Sequence, residues 1–502
     1  MSQSGQSLTV GLLQIRAFAL ADHEQAWAEL LRRIDDAAAE SPRLIVAPEA
    51  SYPAAILGSR EAYARTTLRG DAEVLATLGD RARRHGCYVA VGLVLRDPFG
   101  APQNAAVLIA PGGAVIARAT EISPARWFAP GSGPIPARID DTPVALFAGR
   151  DALDASRVAA LADGGARVLV STGAATAWGH ALDRLGDAEA HLQLAARAVE
   201  SGTWAATPAK VGLEAGSRVY AGRAGVVSPA GAWVVRAPGD RPGIVLHTID
   251  LEAAPARPAV AAAAIDPVAP PAEPASTVVA VIAVAPTPSA VDLMETLRAL
   301  ARSAAAQGAG IIVLPDLAGA ETRAITSAET LPLLEALAEE TQTVVTVALA
   351  ERIDGETYKT AYVIDRGQTI AGHRQSCLSA AERGAGFAPG ASRPPAVATS
   401  AGRIGVLCGV EGLVPALTAA LVQDGAAFIA WCAGDIGVPV EPLARVRAIE
   451  ADCVVLAAGA ATPSGGGSIV DAGGTVLATT LDGQPMTAFA TIRRPAGLAT
   501  RG

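Results

Sequence analysis

At 502 residues the chain is long for one hydrophobic core, and with 51% hydrophobic and 18% charged residues it reads as a folded globular protein, neither disordered nor fibrous. A formal charge of -9 and a pI near 5.3 argue against a nucleic-acid or anionic-membrane partner, since both require a clustered positive surface. Lys210 and Lys359 are the two lysines, so any chemistry that needs an ammonium group has two candidates.

The five cysteines, Cys87, Cys377, Cys408, Cys432 and Cys453, form no CxxC pair and no metal-ligand spacing. This predicts free thiols in a reducing compartment, with no metal and no cofactor. The opening residues MSQSGQSLTV lack a basic start and an apolar core, and no run approaches the length of a membrane span, so the expected location is cytoplasmic.

In chain order, short apolar runs alternate with helical patterns, the signature of a layered α/β domain. Leu8 to Ile15 reads as the first strand. Asp22 is placed to cap a helix whose Trp27, Leu30, Leu31 and Ile34 recur at helical spacing. Leu44 to Ala47 is a second strand, and it exits into Pro48-Glu49. A helix is expected over about 72–84, followed by strands from Tyr88 to Val94 and Ala105 to Ile109. A segment ending Phe128-Ala129-Pro130-Gly131 leads to a strand at Val144 to Ala148, a helix, and another strand at Arg167 to Ser171. The words Arg197-Ala198-Val199-Glu200 and a Gly-rich hairpin near 225–231 close the unit at Ile249-Asp250-Leu251.

Residues 253–276 are rich in Ala and Pro and read as a semi-extended linker between domains spanning 1–252 and 277–502. The second half repeats the first in order. Ile311 to Asp316 matches the strand ending in Glu49, Phe387 to Gly390 repeats Phe128 to Gly131, and Arg447 to Glu450 repeats Arg197 to Glu200. Gly467-Ser468-Ile469-Val470 repeats the hairpin, and the Gly-rich run before it lacks the lysine of a phosphate cradle. A period near 260 residues indicates domain duplication, not a solenoid.

The ordered series of a strand ending Pro-Glu, an F-x-P-G word, the segment Gly402 to Gly412 (GRIGVLCGVEG), R-A-x-E and a G-x-S-x-[IV]-x-x-x-G hairpin resembles the nitrilase superfamily of carbon-nitrogen hydrolases. The resemblance implies two tandem four-layer αββα sandwiches. It also implies a glutamate base, a lysine that stabilises developing charge, and a cysteine nucleophile. By the resemblance, the glutamate falls on Glu49 and Asp316, the lysine on Ala119 and Gln375, and the cysteine on Gly149 and Gly409. A second glutamate finds Glu382 in the second half and no counterpart in the first. Neither half carries the full set, which predicts a pseudoenzyme with an assembly, regulatory or small-molecule-binding role. The family's pairing of sandwiches through helices further implies an intramolecular pseudo-dimer, open to further homo- or hetero-oligomers, with a small amide-like ligand.

The alternative is an active hydrolase of a carbon-nitrogen bond with a relocated thiol, Cys408 or Cys432, or with water activated by Glu49. Cys408 lies one place early, and neighbours on a strand face opposite ways, so it reaches the pocket only through a bulge. Glu49 alternatively caps backbone amides or pairs with an arginine. Arg150, Asp151 and Glu411, beside the two elbows, are ligand-binding candidates, with a local Arg150–Asp151 ion pair as the simpler reading of the first two.

Overall fold

The computed structural model describes residues 7–58, 60–125, 128–177, 189–253, 276–284, 290–318, 326–462, 465–481 and 483–493. The chain divides into two compact units at Pro255/Ala256. Most of the expected linker, 254–275, lies outside the described residues.

In unit 1 the strands are β1 (Ser7–Arg16), β2 (Leu44–Ala47), β3 (Tyr88–Arg96), β4 (Pro102–Ile109), β5 (Val115–Thr120), β6 (Ile135–Ile139), β7 (Thr142–Phe147), β8 (Val168–Ser171), β9 (Thr176–Ala177), β10 (Trp204–Thr207), β11 (Ala209–Glu214), β12 (Arg218–Ala221), β13 (Gly225–Val227), β14 (Trp233–Arg236) and β15 (Gly243–Asp250). They form a nine-stranded sheet ordered β5-β4-β3-β2-β1-β11-β12-β9, with β15 also paired to β1, and a six-stranded sheet ordered β14-β13-β10-β8-β7-β6.

The helices α1 (His23–Ala38), α2 (Arg60–Arg65), α3 (Asp71–His85), α4 (Ala155–Asp163) and α5 (Glu189–Ser201) complete the unit. The two-residue side-chain period of a strand decides the layering. Val10 and Leu12 of β1 and Leu44 and Val46 of β2 join Val144 and Leu146 of β7 in one buried core between the sheets. Their neighbours Leu13, Ile15, Ile45 and Ala47 pack instead with Trp27, Leu30 and Ile34 of α1 and Val74 and Leu78 of α3. Ala145 and Phe147 pack outward with Val158 of α4 and Leu194 and Ala198 of α5. The result is helix, sheet, sheet, helix. Asp22 occupies the cap position of α1, but its side chain accepts no capping hydrogen bond.

Unit 2 repeats this plan with two six-stranded sheets. The first runs β20-β19-β18-β17-β16-β27, built from β16 (Ser276–Ala283), β17 (Ala309–Asp316), β18 (Val344–Ile353), β19 (Glu356–Asp365), β20 (Gln368–Arg374) and β27 (Met486–Arg493). The second runs β21-β22-β23-β24-β25-β26, built from β21 (Ala396–Thr399), β22 (Gly402–Cys408), β23 (Phe428–Gly434), β24 (Val454–Gly459), β25 (Gly467–Val470) and β26 (Val476–Thr479). Its helices are α6 (Ala290–Ala306), α7 (Ser327–Thr341), α8 (Ala380–Gly384), α9 (Pro415–Gln423) and α10 (Val440–Ala451). Val279, Val313, Ile404, Val406 and Cys408 share the core between the sheets.

The units differ in one place that matters for the site. Between β10 and β13 unit 1 inserts the hairpin β11/β12, which pairs in parallel with the end of β1 through Gln14↔Ala209 and Ile15↔Lys210. In unit 2 the stretch from β24 to β25 is only seven residues long, and no such hairpin occurs among the described residues. Among the described residues, no helix is long and apolar enough to cross a membrane.

Candidate functional site

Each unit gathers polar residues where strands of both sheets end. In unit 1, β2 exits through Pro48 into Glu49, whose N–H donates to the Thr172 carbonyl at 2.5 Å. Gly92 on β3 is required there, because a Cβ would lie 2.3 Å from Glu49 Cα. Opposite, β7 ends and the chain turns through Gly149 into a 3-10 turn, Gly149–Leu153. Gly149 has φ +52° and its counterpart Gly409, after β22, φ +50°. An L side chain in this left-handed region costs roughly 1–2 kcal/mol, so both elbows keep a backbone shape that glycine adopts freely.

The backbone fixes which residues correspond between the units. Glu121 N–H donates to Asn104 O at 3.0 Å and Gly131 N–H to Glu121 O at 2.7 Å. Likewise Gln375 N–H donates to Lys359 O at 2.8 Å and Gly390 N–H to Gln375 O at 2.7 Å. Glu121 is therefore the equivalent of Gln375, and Asn104 that of Lys359. This corrects the assignment of Ala119, which lies two residues earlier and is buried in the core between the sheets. The error in register arose because the chain runs ten residues from Glu121 to Gly131 but fifteen from Gln375 to Gly390. The longer path holds α8, and with it Glu382.

Both of these side chains occupy the space that a nucleophile at the elbow would use. A Cβ on Gly149 would lie 2.3 Å from Glu121 Cδ, and one on Gly409 2.8 Å from Gln375 Oε1. Glu121 Oε1 also accepts from the Arg150 N–H at 2.9 Å, the first amide after the elbow. That amide is thus occupied. The Asn104 Nδ2 donates to Glu121 Oε2 at 2.7 Å and to Glu49 Oε2 at 2.9 Å, joining the two carboxylates, while Glu49 Oε1 accepts from Ala174 N–H at 3.2 Å. Burial first, and the nearby Glu49 charge second, push Glu121 up to about 7.

The inserted hairpin brings a lysine to this region. Lys210 Nζ, buried, donates to Ala50 O at 2.9 Å and lies 3.5 Å from Glu214 Oε2. Burial lowers its pKa against the opposing pull of Glu214 and Glu49. Glu214 is itself held by Tyr220 Oη at 2.9 Å and by the N–H groups of Ala55 and Ile56. Lys210 thus secures the loop after Glu49.

In unit 2 the cation has a different origin. Lys359 Nζ, on β19, donates to Asp316 Oδ2 at 2.6 Å and to Glu382 Oε1 at 2.9 Å. Burial opposes its charge, but Asp316 and Glu382 outweigh that cost and hold its pKa above the usual lysine range. Glu382, despite burial, is held below the usual carboxylate range by Lys359 and by the Ser379 N–H and hydroxyl. Gln375 Nε2 donates to Cys377 O at 2.7 Å and to both Glu382 oxygens at 3.2 Å. Asp316, Lys359, Glu382 and Gln375 therefore form one closed network.

The thiols are enclosed by the fold. All five are free and buried. Cys408 Sγ lies 3.5 Å from Gln375 Oε1, and burial, then Asp316 and Glu411, raise its pKa well above the ordinary thiol value. Cys432, 3.9 Å from Thr346 Oγ1, is pushed up to about 12 by burial.

The ligand-binding candidates occupy supporting places. Glu411 is buried and accepts from His373 Nε2 at 2.8 Å, from Ser376 N–H and Oγ at 2.7 Å, and from Cys408 N–H at 3.0 Å. Asp151 accepts from Ile122 N–H at 3.1 Å and pairs with Arg157 at 3.0 Å. The expected Arg150–Asp151 pair is replaced by this one, because Arg157 in the first turn of α4 reaches Asp151 while the Arg150 side chain is exposed.

The sequence did not point to Asn104 or Glu121, and it offered Lys210 and Lys359 as candidate ammonium groups without placing them at the site. The scarcity of lysine was the available signal: the one lysine of each half lies buried beside the Glu49 or Asp316 strand exit, on strands that do not correspond.

A carbon-nitrogen hydrolase family model matches residues 9–258 and again 278–501. Among solved structures, an amidase from Nesterenkonia sp. is similar at 22% identity, covering 49% of this chain and 92% of its own, with a TM-score of 0.42. A cysteine-to-alanine variant of the Nesterenkonia sp. AN1 amidase in complex with butyramide matches at 22% identity and a TM-score of 0.41, covering 49% of this chain and 93% of that one. A comparison with curated proteins gave no match. With both of its units matched, the chain belongs to the carbon-nitrogen hydrolase family as a tandem of two such domains.

Proposed function

We propose that this protein is a pseudoenzyme of the family, a small-molecule-binding subunit with an assembly or regulatory role rather than a thiol hydrolase. The observation that supports this is the elbow. In both units the nucleophile position is a glycine, and the adjoining side chain, Glu121 or Gln375, fills the space a nucleophile would need. A missing nucleophile typically costs on the order of 10⁴ to 10⁶ in rate. No buried thiol compensates, since desolvation disfavours the thiolate at Cys408 and Cys432.

The test is brief alkylation of the folded protein followed by mass mapping, alongside ammonia release from simple amides and nitriles. We expect slow, unselective labelling and no release. Fast stoichiometric modification at Cys408 or Cys432 accompanied by turnover would overturn the proposal.

A second reading rests on the Glu49 and Glu121 pair. One carboxylate is poised near neutrality, so Glu121 could donate a proton while Glu49 activates water. Turnover abolished by Glu49→Gln would establish it.

A further inference from the structure

The two units treat their paired carboxylates differently. In unit 2 a buried ammonium, Lys359, sits between Asp316 and Glu382. In unit 1 the corresponding position is the neutral Asn104, and the two carboxylates it joins, Glu49 and Glu121, have no ammonium or guanidinium within salt-bridge distance among the described residues. Lys210 is engaged by Ala50 O and Glu214, and Arg157 by Asp151 and Asp154. The Arg150 contact to Glu121 is through its backbone N–H.

Asn104 is 4% exposed, and while its Nδ2 serves both carboxylates, its Oδ1 is buried without a partner. Oδ1 shares its carbon with Nδ2 and so borders the same cluster. A buried polar atom left unmatched costs about 1–3 kcal/mol, and a donor arriving there would recover it. Glu49 is half-buried, whereas Glu121 is 5% exposed.

Building on the small-molecule-binding reading above, we propose that the unit 1 pocket binds a small protonated nitrogen group, an amidinium or primary ammonium, between the Glu49 and Glu121 carboxylates with Asn104 Oδ1 as a third acceptor. Such a group presents only donors to four carboxylate oxygens that each accept one hydrogen bond and keep a further lone pair, and to the one acceptor, Asn104 Oδ1, that has none. A neutral amide of the same shape turns a carbonyl oxygen toward one carboxylate and is disfavoured. A cation also favours ionised Glu121. The groups facing that carboxylate are Glu49 from the β2 exit, Asn104 from β4, and the Arg150 N–H and Asp151 from the elbow; Lys210 and, from β12, Arg218 act on Glu49. Affinity should therefore rise with pH through about 7.

Isothermal titration of the full chain with acetamidinium and with its isostere acetamide tests this. The expected result is amidinium binding about tenfold or more tighter than amide at pH 8, weakening about tenfold at pH 6 as Glu121 takes up a proton. Glu121→Gln, which installs the side chain unit 2 carries at that position, should remove the preference, as should Glu49→Gln. Thermal unfolding of each ligand-free variant checks that it folds. Equal or tighter binding of acetamide, amidinium binding indifferent to both substitutions, or no amidinium binding at all would overturn the inference. Ammonia release measured on the same samples bears on the non-catalytic reading alone, so the two can fail separately.

Discussion

Replacing Lys359 with methionine is expected to destabilise unit 2 by about 3–5 kcal/mol, the usual cost of removing one partner from a buried ion pair. The side chain is 8% exposed and lies 2.6 Å from Asp316 and 2.9 Å from Glu382, so its loss leaves two carboxylates buried without a cation. Glu382, depressed when folded, contributes stability that is present above its unfolded pKa of about 4.3 and lost as pH falls through its lower folded value. Lys359, raised when folded, contributes below its unfolded value of about 10.4 and loses that only as pH rises further. The variant should therefore be least stable, relative to the parent, near neutral pH, and the gap should narrow in acid as the carboxylates become neutral. Hydrogen exchange of β17 to β19 against urea measures this, with unit 1 amides as the internal reference. A loss under 1 kcal/mol would show that the network is solvated and not buried.

Installing cysteine at Gly149 is expected to give no amide hydrolysis and to destabilise unit 1 by about 1–3 kcal/mol. The φ of +52° penalises any L side chain, and the new Cβ would lie 2.3 Å from Glu121 Cδ, forcing the carboxylate from its bonds to Asn104 and the Arg150 N–H. The thiol would also face two carboxylates, which favour its protonated form. Adding Glu121→Lys converts that repulsion to attraction, so the double variant is where ammonia release should first become measurable. Gly409→Cys should be better tolerated, because it meets the movable end of Gln375 at 2.8 Å. It should still not turn over, since the nearby Lys359 is held by Asp316 and Glu382. Denaturation midpoints and an ammonia assay decide both variants. Robust turnover by either single substitution would mean that the charge-stabilising group has been misassigned.

Much of the architecture was legible because it is written in local periodicity. Alternation along Val10 to Ile15 and Leu44 to Ala47 gives the faces of the sheets, and the recurrence of Pro48-Glu49 as Pro315-Asp316 and of Phe128-Ala129-Pro130-Gly131 as Phe387-Ala388-Pro389-Gly390 gives the duplication. The elbow glycines were also legible, since each follows an apolar strand. The residues that determine charge at the site were not. Asn104 and Lys359 reach Glu49 and Asp316 across strand registers that only the folded sheet defines. Lys210 arrives on a hairpin inserted in one unit alone, and Glu121 was obscured by the five residues that separate the two loops in length.

The placement of the two lysines reaches beyond the pockets. Lys210 is 2% and Lys359 6% exposed, and the chain has no others, so the folded surface offers no reachable ε-amine. Acylating reagents, lysine-directed crosslinkers and enzymes that attach groups through isopeptide bonds would find no side-chain target until the protein unfolds. The appearance of lysine adducts is thereby a direct clock for opening of each unit, with Lys210 reporting on the first and Lys359 on the second.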